Sequence, residues 1–278
     1  MIDLRLHDSR NPWPLNPGTV HLVCGSPPYF GAEEAIVYDA YRYASDESAW
    51  RDDFVRVAQQ AMQALVPGGR FAVNVANTGR KPYTDLAGIV GSAMREVGFD
   101  LRGHIIWLKG YHVAGTAWGS VLSPSAPVLR DVHEYIVVAQ KGDGTLDMSA
   151  FKKRQDLDGG EFGNLTFSVW EVSAGARDRW QKTCDHPAPW PVELVRRLVR
   201  LYTAPGMTVL DPWVGSGTTC AVALEQKCYA IGYDLSDVYL ETAKAWCGET
   251  MGQYYRPKKR TLSRGDIPLL GGWEETGD

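Results

Sequence analysis

Val209-Leu210-Asp211-Pro212-Trp213-Val214-Gly215-Ser216-Gly217-Thr218-Thr219 reads as a strand, a tight turn and the start of a helix. Gly215 and Gly217 let the backbone turn sharply and approach a ligand with no Cβ in the way. Thr218 and Thr219 suit a first helical turn, where side-chain oxygens meet unsatisfied N–H groups. The next apolar run, Tyr229-Ala230-Ile231-Gly232-Tyr233, ends in Asp234, nineteen residues past Gly215. A carboxylate at the end of that strand can accept both ribose hydroxyl protons of an adenosine. The same pattern also occurs as an ordinary strand-to-helix turn, and two departures narrow its meaning. Cys220 stands where a dinucleotide fingerprint has its third glycine, and the lysine of a phosphate-binding P-loop is missing. A nucleoside cofactor without a pyrophosphate fits better.

Outward from this turn, short apolar runs alternate with helical periodicity. Val20-His21-Leu22-Val23-Cys24 looks like a buried strand that stops at Gly25, Pro27 and Pro28. From Glu47 to Leu65 the apolar positions Trp50, Phe54, Val57, Ala58, Ala61 and Leu65 recur at helical spacing, and Pro67-Gly68-Gly69 ends the run. Further strands are expected at Arg70 to Val75, His104 to Leu108 and His133 to Ala139, with helices over Asp85 to Val97 and Pro191 to Tyr202. Strands alternating with helices predict an α/β fold with a mostly parallel sheet covered on both faces. Residues from about 141 to 183 differ in texture, being glycine-rich with scattered aromatics, and read as an inserted lobe. That divides the chain into 1–140, 141–183 and 184–278.

Ser26-Pro27-Pro28-Tyr29 follows the first buried strand. Two prolines fix the backbone and remove its donors, which leaves carbonyl oxygens in the loop to accept hydrogen bonds from an amino group. The exocyclic amine of cytosine or adenine is a poor nucleophile, because its lone pair is delocalised into the ring. Holding its protons on the Ser26 oxygen and the Pro27 carbonyl lets the nitrogen turn tetrahedral and aim that lone pair. Tyr29 would stack on such a base once it had left its duplex, or else serve as a half-buried loop aromatic. Ser26 has no paired histidine and is not read as a covalent nucleophile.

Together these stretches resemble the DNA amino-methyltransferases. Asp211 to Thr219 is similar to their cofactor motif, Asp-Pro-Phe-x-Gly-Ser-Gly-Thr-Thr, with Trp213 in the aromatic position. Its indole face can attract a sulfonium cation. The catalytic motif comes first and the cofactor motif last, which resembles the permuted β-class arrangement. The resemblance implies a Rossmann-like, S-adenosylmethionine-dependent fold with a seven-stranded sheet. It also implies that Asp8, in Leu4-Arg5-Leu6-His7-Asp8-Ser9, lies beside the cofactor adenine, and that His186 and Pro187 line the methionine pocket. Ser216 belongs to the cofactor motif with its neighbours, and residues 141–183 inherit target recognition, with Lys152, Lys153 and Arg154 on phosphate. Serine in the first catalytic position is associated in this family mainly with cytosine N4, and aspartate with adenine N6, which stays the alternative.

The remaining composition sets bounds. At 278 residues with 44% hydrophobic content, the chain can bury one substantial core. The charged start and the lack of an 18-residue apolar run point to a cytoplasmic protein. A net charge of −4 opposes a broad basic footprint for nucleic acid, although basic clusters occur at 152–154 and 256–260. Five cysteines include no CxxC pair, so neither a disulfide framework nor a structural metal is expected. Cys24 lacks the Pro-Cys dipeptide of cytosine C5 methylation and reads as a buried thiol. The expected partners are double-stranded DNA and a restriction endonuclease sharing its site without a stable complex, the protein itself being a monomer or homodimer. A nicotinamide dehydrogenase and a catalytically inactive DNA-binding module are the rival readings.

Overall fold

The computed structural model describes residues 1–28, 46–77, 83–111, 119–152, 156–174 and 189–254. The described residues form eight strands, β1 (Ile2–Leu6), β2 (Val20–Gly25), β3 (Leu65–Val75), β4 (Phe99–Leu108), β5 (His133–Lys141), β6 (Val169–Glu171), β7 (Thr208–Asp211) and β8 (Tyr229–Asp234). They form one sheet in the order β1-β8-β7-β2-β3-β5-β4-β6. Pairing is parallel throughout except where β5 meets β3 and β4. The helices are α1 (Glu47–Ala64), α2 (Leu86–Val97), α3 (Gly159–Leu165), α4 (Val192–Tyr202), α5 (Thr218–Glu225) and α6 (Asp237–Tyr254).

Side-chain alternation along the strands splits the core between the two faces of the sheet. Leu22 and Cys24 face a cluster with Leu194 and Leu198 of α4, Ala221 and Val222 of α5, and Leu240 of α6. Val23, Phe71 and Val73 face the other cluster with Trp50, Phe54 and Ala58 of α1 and Val90 and Met94 of α2. Helix ends follow local chemistry. Asp46 and Asp85 cap α1 and α2 by accepting from Ala49 N and Gly88 N. Gly98, at φ 102°, stops α2 in the left-handed conformation and delivers the chain straight into β4.

The expected fold class holds, with one strand more than the seven anticipated. The addition is β6, inside the segment read as a separate lobe. It pairs with β4 through Ile106↔Val169 and Leu108↔Glu171, and its Trp170, 1% exposed, enters the core. The strands at 70 and 104 begin earlier than their apolar runs, at Leu65 and Phe99. Among the described residues no helix is long and apolar enough to cross a membrane.

Candidate functional site

Strand order reverses between β7 and β2, neighbours that pair in parallel through Leu22↔Val209 and Val23↔Leu210. The chain leaves β7 toward β8 and leaves β2 toward β3, so the two loops diverge and open a crevice beyond the carboxyl ends of the strands. The proline turn and the glycine turn both stand at this crevice and touch. A Cβ on Gly25 would lie 2.5 Å from Asp211 Oδ1 and 3.0 Å from Trp213 Cε3, so only glycine permits this approach.

The glycine turn is held from both sides. Gly215 and Gly217 adopt φ of 49° and 94°, and a Cβ on Gly217 would meet Ala243 of α6 at 2.7 Å. Val214 N donates to Tyr233 O at 2.9 Å, which lays the turn over the end of β8. Asp234, 6% exposed, accepts from Gly215 N at 2.8 Å and from Ser236 N at 2.9 Å. Ser216, Thr218 and Thr219 are buried. This cradle fits a nucleoside cofactor: a close-approach glycine backbone beside a fixed carboxylate, whose oxygens each accept more than one hydrogen bond.

Asp211 is 4% exposed and accepts from Trp213 N at 2.9 Å. Burial pushes its carboxyl up to about 7 against the pull of the Thr219 hydroxyl and the Trp213 N–H, and the neighbouring charge of Asp234 adds to the rise. Burial, then Asp211, pushes the Cys24 thiol well above its ordinary value. A protonated, 0% exposed thiol is no nucleophile, as expected from the sequence.

His7 N donates to Asp234 O at 2.9 Å, which brings Asp8 to the same edge. Burial raises the Asp8 carboxyl, but the hydrogen bonds and charge of Arg10 outweigh it and hold it below the usual range. Arg10 binds Asp8 at 2.7 Å and reaches Asp53 of α1 at 2.9 Å. On the same face of α1, one turn earlier, Trp50 Nε1 donates to Pro28 O at 2.7 Å. The rings of Trp50, Phe54 and Trp213 stack in sequence, with centroids 5.7 and 6.4 Å apart. Arg10, Asp53, Pro28, Trp50, Phe54 and Trp213, with Pro27 and Val57, line an open cleft. Ser26 sits half-buried with its Oγ donating to Asn74 O at 3.3 Å.

The structure thus brings together Ser26, Pro27, Pro28, Asp8, Asp234 and the turn from Asp211 to Thr219. Tyr29, Lys153, Arg154, His186 and Pro187 lie outside the described residues. Lys152 is exposed but is not brought to this site. Its neighbour Phe151 packs edge-on to His21 at the start of β2, with centroids 4.9 Å apart. Five residues of strand, about 16 Å, separate His21 from Ser26. Sequence reasoning missed Arg10, Asp53 and Asn74, and read Trp50 only as an apolar helix position. Lys109 and Glu134, at the crevice end of β4 and β5, carried a readable signal: charges that bound apolar strand runs.

This sheet order with paired turns at its switch point is that of the S-adenosylmethionine-dependent methyltransferases. Residues 20–245 match the model of the N6/N4 DNA methylase family, and the chain belongs to that family. The type II methyltransferase M.MjaI of Methanocaldococcus jannaschii is 31% identical over 195 residues, covering 64% of this chain and 61% of that relative's length. M.Cfr9I of Citrobacter freundii is 26% identical over 264 residues, 82% of this chain and 81% of its own. TTHA0409 of Thermus thermophilus, solved as a complex with S-adenosyl-L-methionine, superposes with a TM-score of 0.67 at 27% identity, over 90% of this chain and 94% of that one. The cytosine-N4-specific PvuII DNA methyltransferase shares the fold at a TM-score of 0.65 and 18% identity, over 92% of each chain. A nicotinamide dehydrogenase is thereby set aside.

Proposed function

We propose that this protein transfers a methyl group from S-adenosylmethionine to the exocyclic N4 of cytosine in duplex DNA, acting on a base turned out of the helix. The observation that carries the reading is the contact of the two turns: Gly25, which leads into Ser26, lies against Asp211 and Trp213 across adjacent parallel strands.

S-adenosylmethionine supplies an electrophilic methyl on a sulfonium. The chain's own residues do the rest. Asp234 takes the ribose hydroxyls, the backbone of Gly215 to Gly217 admits the cofactor closely, and Trp213 offers an indole face to the cation. Asp8 faces the adenine, and His186 and Pro187 line the methionine end. Ser26 Oγ and the Pro27 carbonyl accept hydrogen bonds from the two amine N–H groups, and the nitrogen lone pair turns toward the methyl; the surplus proton of the methylated amine leaves late, to solvent. The Pro28 carbonyl has another task, since Trp50 holds it and so fixes the turn. Tyr29 stacks on the displaced base.

Duplex DNA docks on the crevice edge. Of the segment 141–183, the part around Lys152 lies at the opposite edge, whereas β6 runs toward the crevice, parallel to β4. The recognition role is assigned to the segment 141–183, whose strand β6 runs toward that edge. The relatives' type II class supports a paired endonuclease acting at the same site. Adenine N6 is the second reading, favoured by the shared amino chemistry of the two bases; serine at position 26 favours cytosine.

Nucleoside mass spectrometry of DNA treated with the protein and cofactor tests this directly. N4-methylcytosine is the expected product, N6-methyladenine selects the alternative, and no methylated base refutes both. Ser26→Ala is expected to lower transfer far more than cofactor binding, and Asp234→Ala the reverse. Equal losses of both properties in both variants would contradict the division of roles.

A further inference from the structure

Behind Ser26 a chain of polar contacts crosses four strand ends. Ser26, just past β2, donates to the backbone carbonyl of Asn74 in β3 at 3.3 Å. The Asn74 side chain donates through Nδ2 to Glu134 Oε2 of β5 at 2.6 Å. The other oxygen of Glu134 meets Lys109 Nζ, just past β4, at 3.1 Å. Asn74 is 1% exposed, and the side chains of Glu134 and Lys109 are 12% and 19% exposed. Taking an ion pair and an amide this far out of water costs desolvation, and apolar residues of similar volume usually serve stability as well or better. Stability alone therefore gives no reason for this chain. Its position, at the ligand edge of the sheet and ending on Ser26, does.

Resting on the functional reading above, we propose that Asn74, Glu134 and Lys109 are positioning residues that set the direction of the Ser26 hydroxyl. A serine hydroxyl has one proton and two lone pairs. With its proton given to Asn74 O, the hydroxyl can offer a lone pair to an N–H of the target amine. A hydroxyl turned the other way presents its proton to the nitrogen lone pair, which is the wrong polarity for a nucleophile. Asn74 holds that carbonyl in place because its own side chain is tied to Glu134, and Lys109 fixes the direction of Glu134.

The test replaces Glu134 and Lys109 together, as Glu134→Leu with Lys109→Met, so that neither charge is left alone. Single-turnover methyl transfer to duplex DNA is measured alongside cofactor affinity by calorimetry and the thermal midpoint. Transfer is expected to fall by about 10- to 100-fold while the cofactor Kd stays within about twofold. In a Ser26→Ala background the same pair of replacements is expected to cost less than about twofold more, because the group it directs is gone. Glu134→Gln, which keeps an acceptor for Asn74, is expected to lose less than the paired replacement and serves if the latter does not fold. Additive losses, an equal loss of cofactor affinity, or unchanged transfer in the paired variant overturns the proposal. Additivity in an enzyme whose wild type methylates DNA refutes the positioning role alone; a wild type that transfers no methyl removes the functional reading and this inference with it.

Discussion

Gly25→Ala tests the contact between the two turns. The new Cβ would sit 2.5 Å from Asp211 Oδ1, 3.0 Å from Trp213 Cε3 and 3.3 Å from Asp211 Cγ. Relief needs a shift of about half an ångström, and forcing a methyl into a packed site costs about 1 to 3 kcal/mol. Asp211 has little freedom to retreat, being 4% exposed and holding Trp213 N through the same oxygen. The proline turn and the glycine turn must therefore part. For a chain of this size, about 2 kcal/mol lowers the thermal midpoint by roughly 4 to 8 °C. A misplacement of about 1 Å can cost about 100-fold in rate, so half that distance is expected to cost about tenfold in methyl transfer. Calorimetric scanning and single-turnover transfer read the two quantities, with cofactor titration beside them. A variant with wild-type midpoint, cofactor affinity and rate would show that the turns do not share this contact.

Trp50→Phe keeps the stack on Phe54 but removes the donor to Pro28 O, and is expected to cost about 1 kcal/mol in urea unfolding and to slow transfer several-fold with cofactor affinity intact; weakened cofactor binding with normal transfer argues against that assignment. Arg10→Met removes one partner from Asp8 and one from Asp53, which keeps its pair with Arg56, and because the pairs are partly solvated the loss is expected to be only about 1 kcal/mol, with cofactor affinity falling alongside. For Asp211 the sign follows from a folded value of about 7 against 3.8 for the free group: the folded state keeps the proton longer, so this carboxyl takes nothing from stability below about pH 4 and destabilises increasingly as pH rises toward 7. Asp211→Asn removes that titration, and its stability relative to wild type is expected to rise by a few kcal/mol across that window. Parallel pH profiles of the two proteins in urea unfolding would refute it.

Much of the sheet was legible because its central strands are buried on both faces and read as continuous apolar runs, as in Val20 to Cys24 and Thr208 to Leu210. The closeness of the strand end before Ser26 to Asp211 and Trp213 was legible too, since parallel strands with diverging connections allow few other arrangements. Other features were hidden for physical reasons. β6 is three residues long, with both neighbours of Trp170 exposed, so neither its length nor its composition marks a strand. The first half of β4 carries exposed Asp100, Arg102 and Gly103, and only pairing with β5 makes it a strand. α3 contains three glycines and depends on the Asp158 cap, which accepts from Glu161 N. Arg10, Asp53 and Trp50 converge on the cleft through a tertiary contact between the end of β1 and the face of α1, which no local pattern announces.

The place of β1 matters during synthesis. Of the eight strands it is the first to leave the ribosome, yet it lies at the rim of the sheet and pairs with β8, the last of them to be made. Likewise β2 gains its second neighbour only when residues 208–211 have emerged. Until then the nascent protein carries an open apolar strand edge at what becomes its middle, a template for pairing with other chains. A polypeptide interrupted before Thr208 is therefore expected to aggregate, and one completed through Asp234 to close its sheet in a single late step.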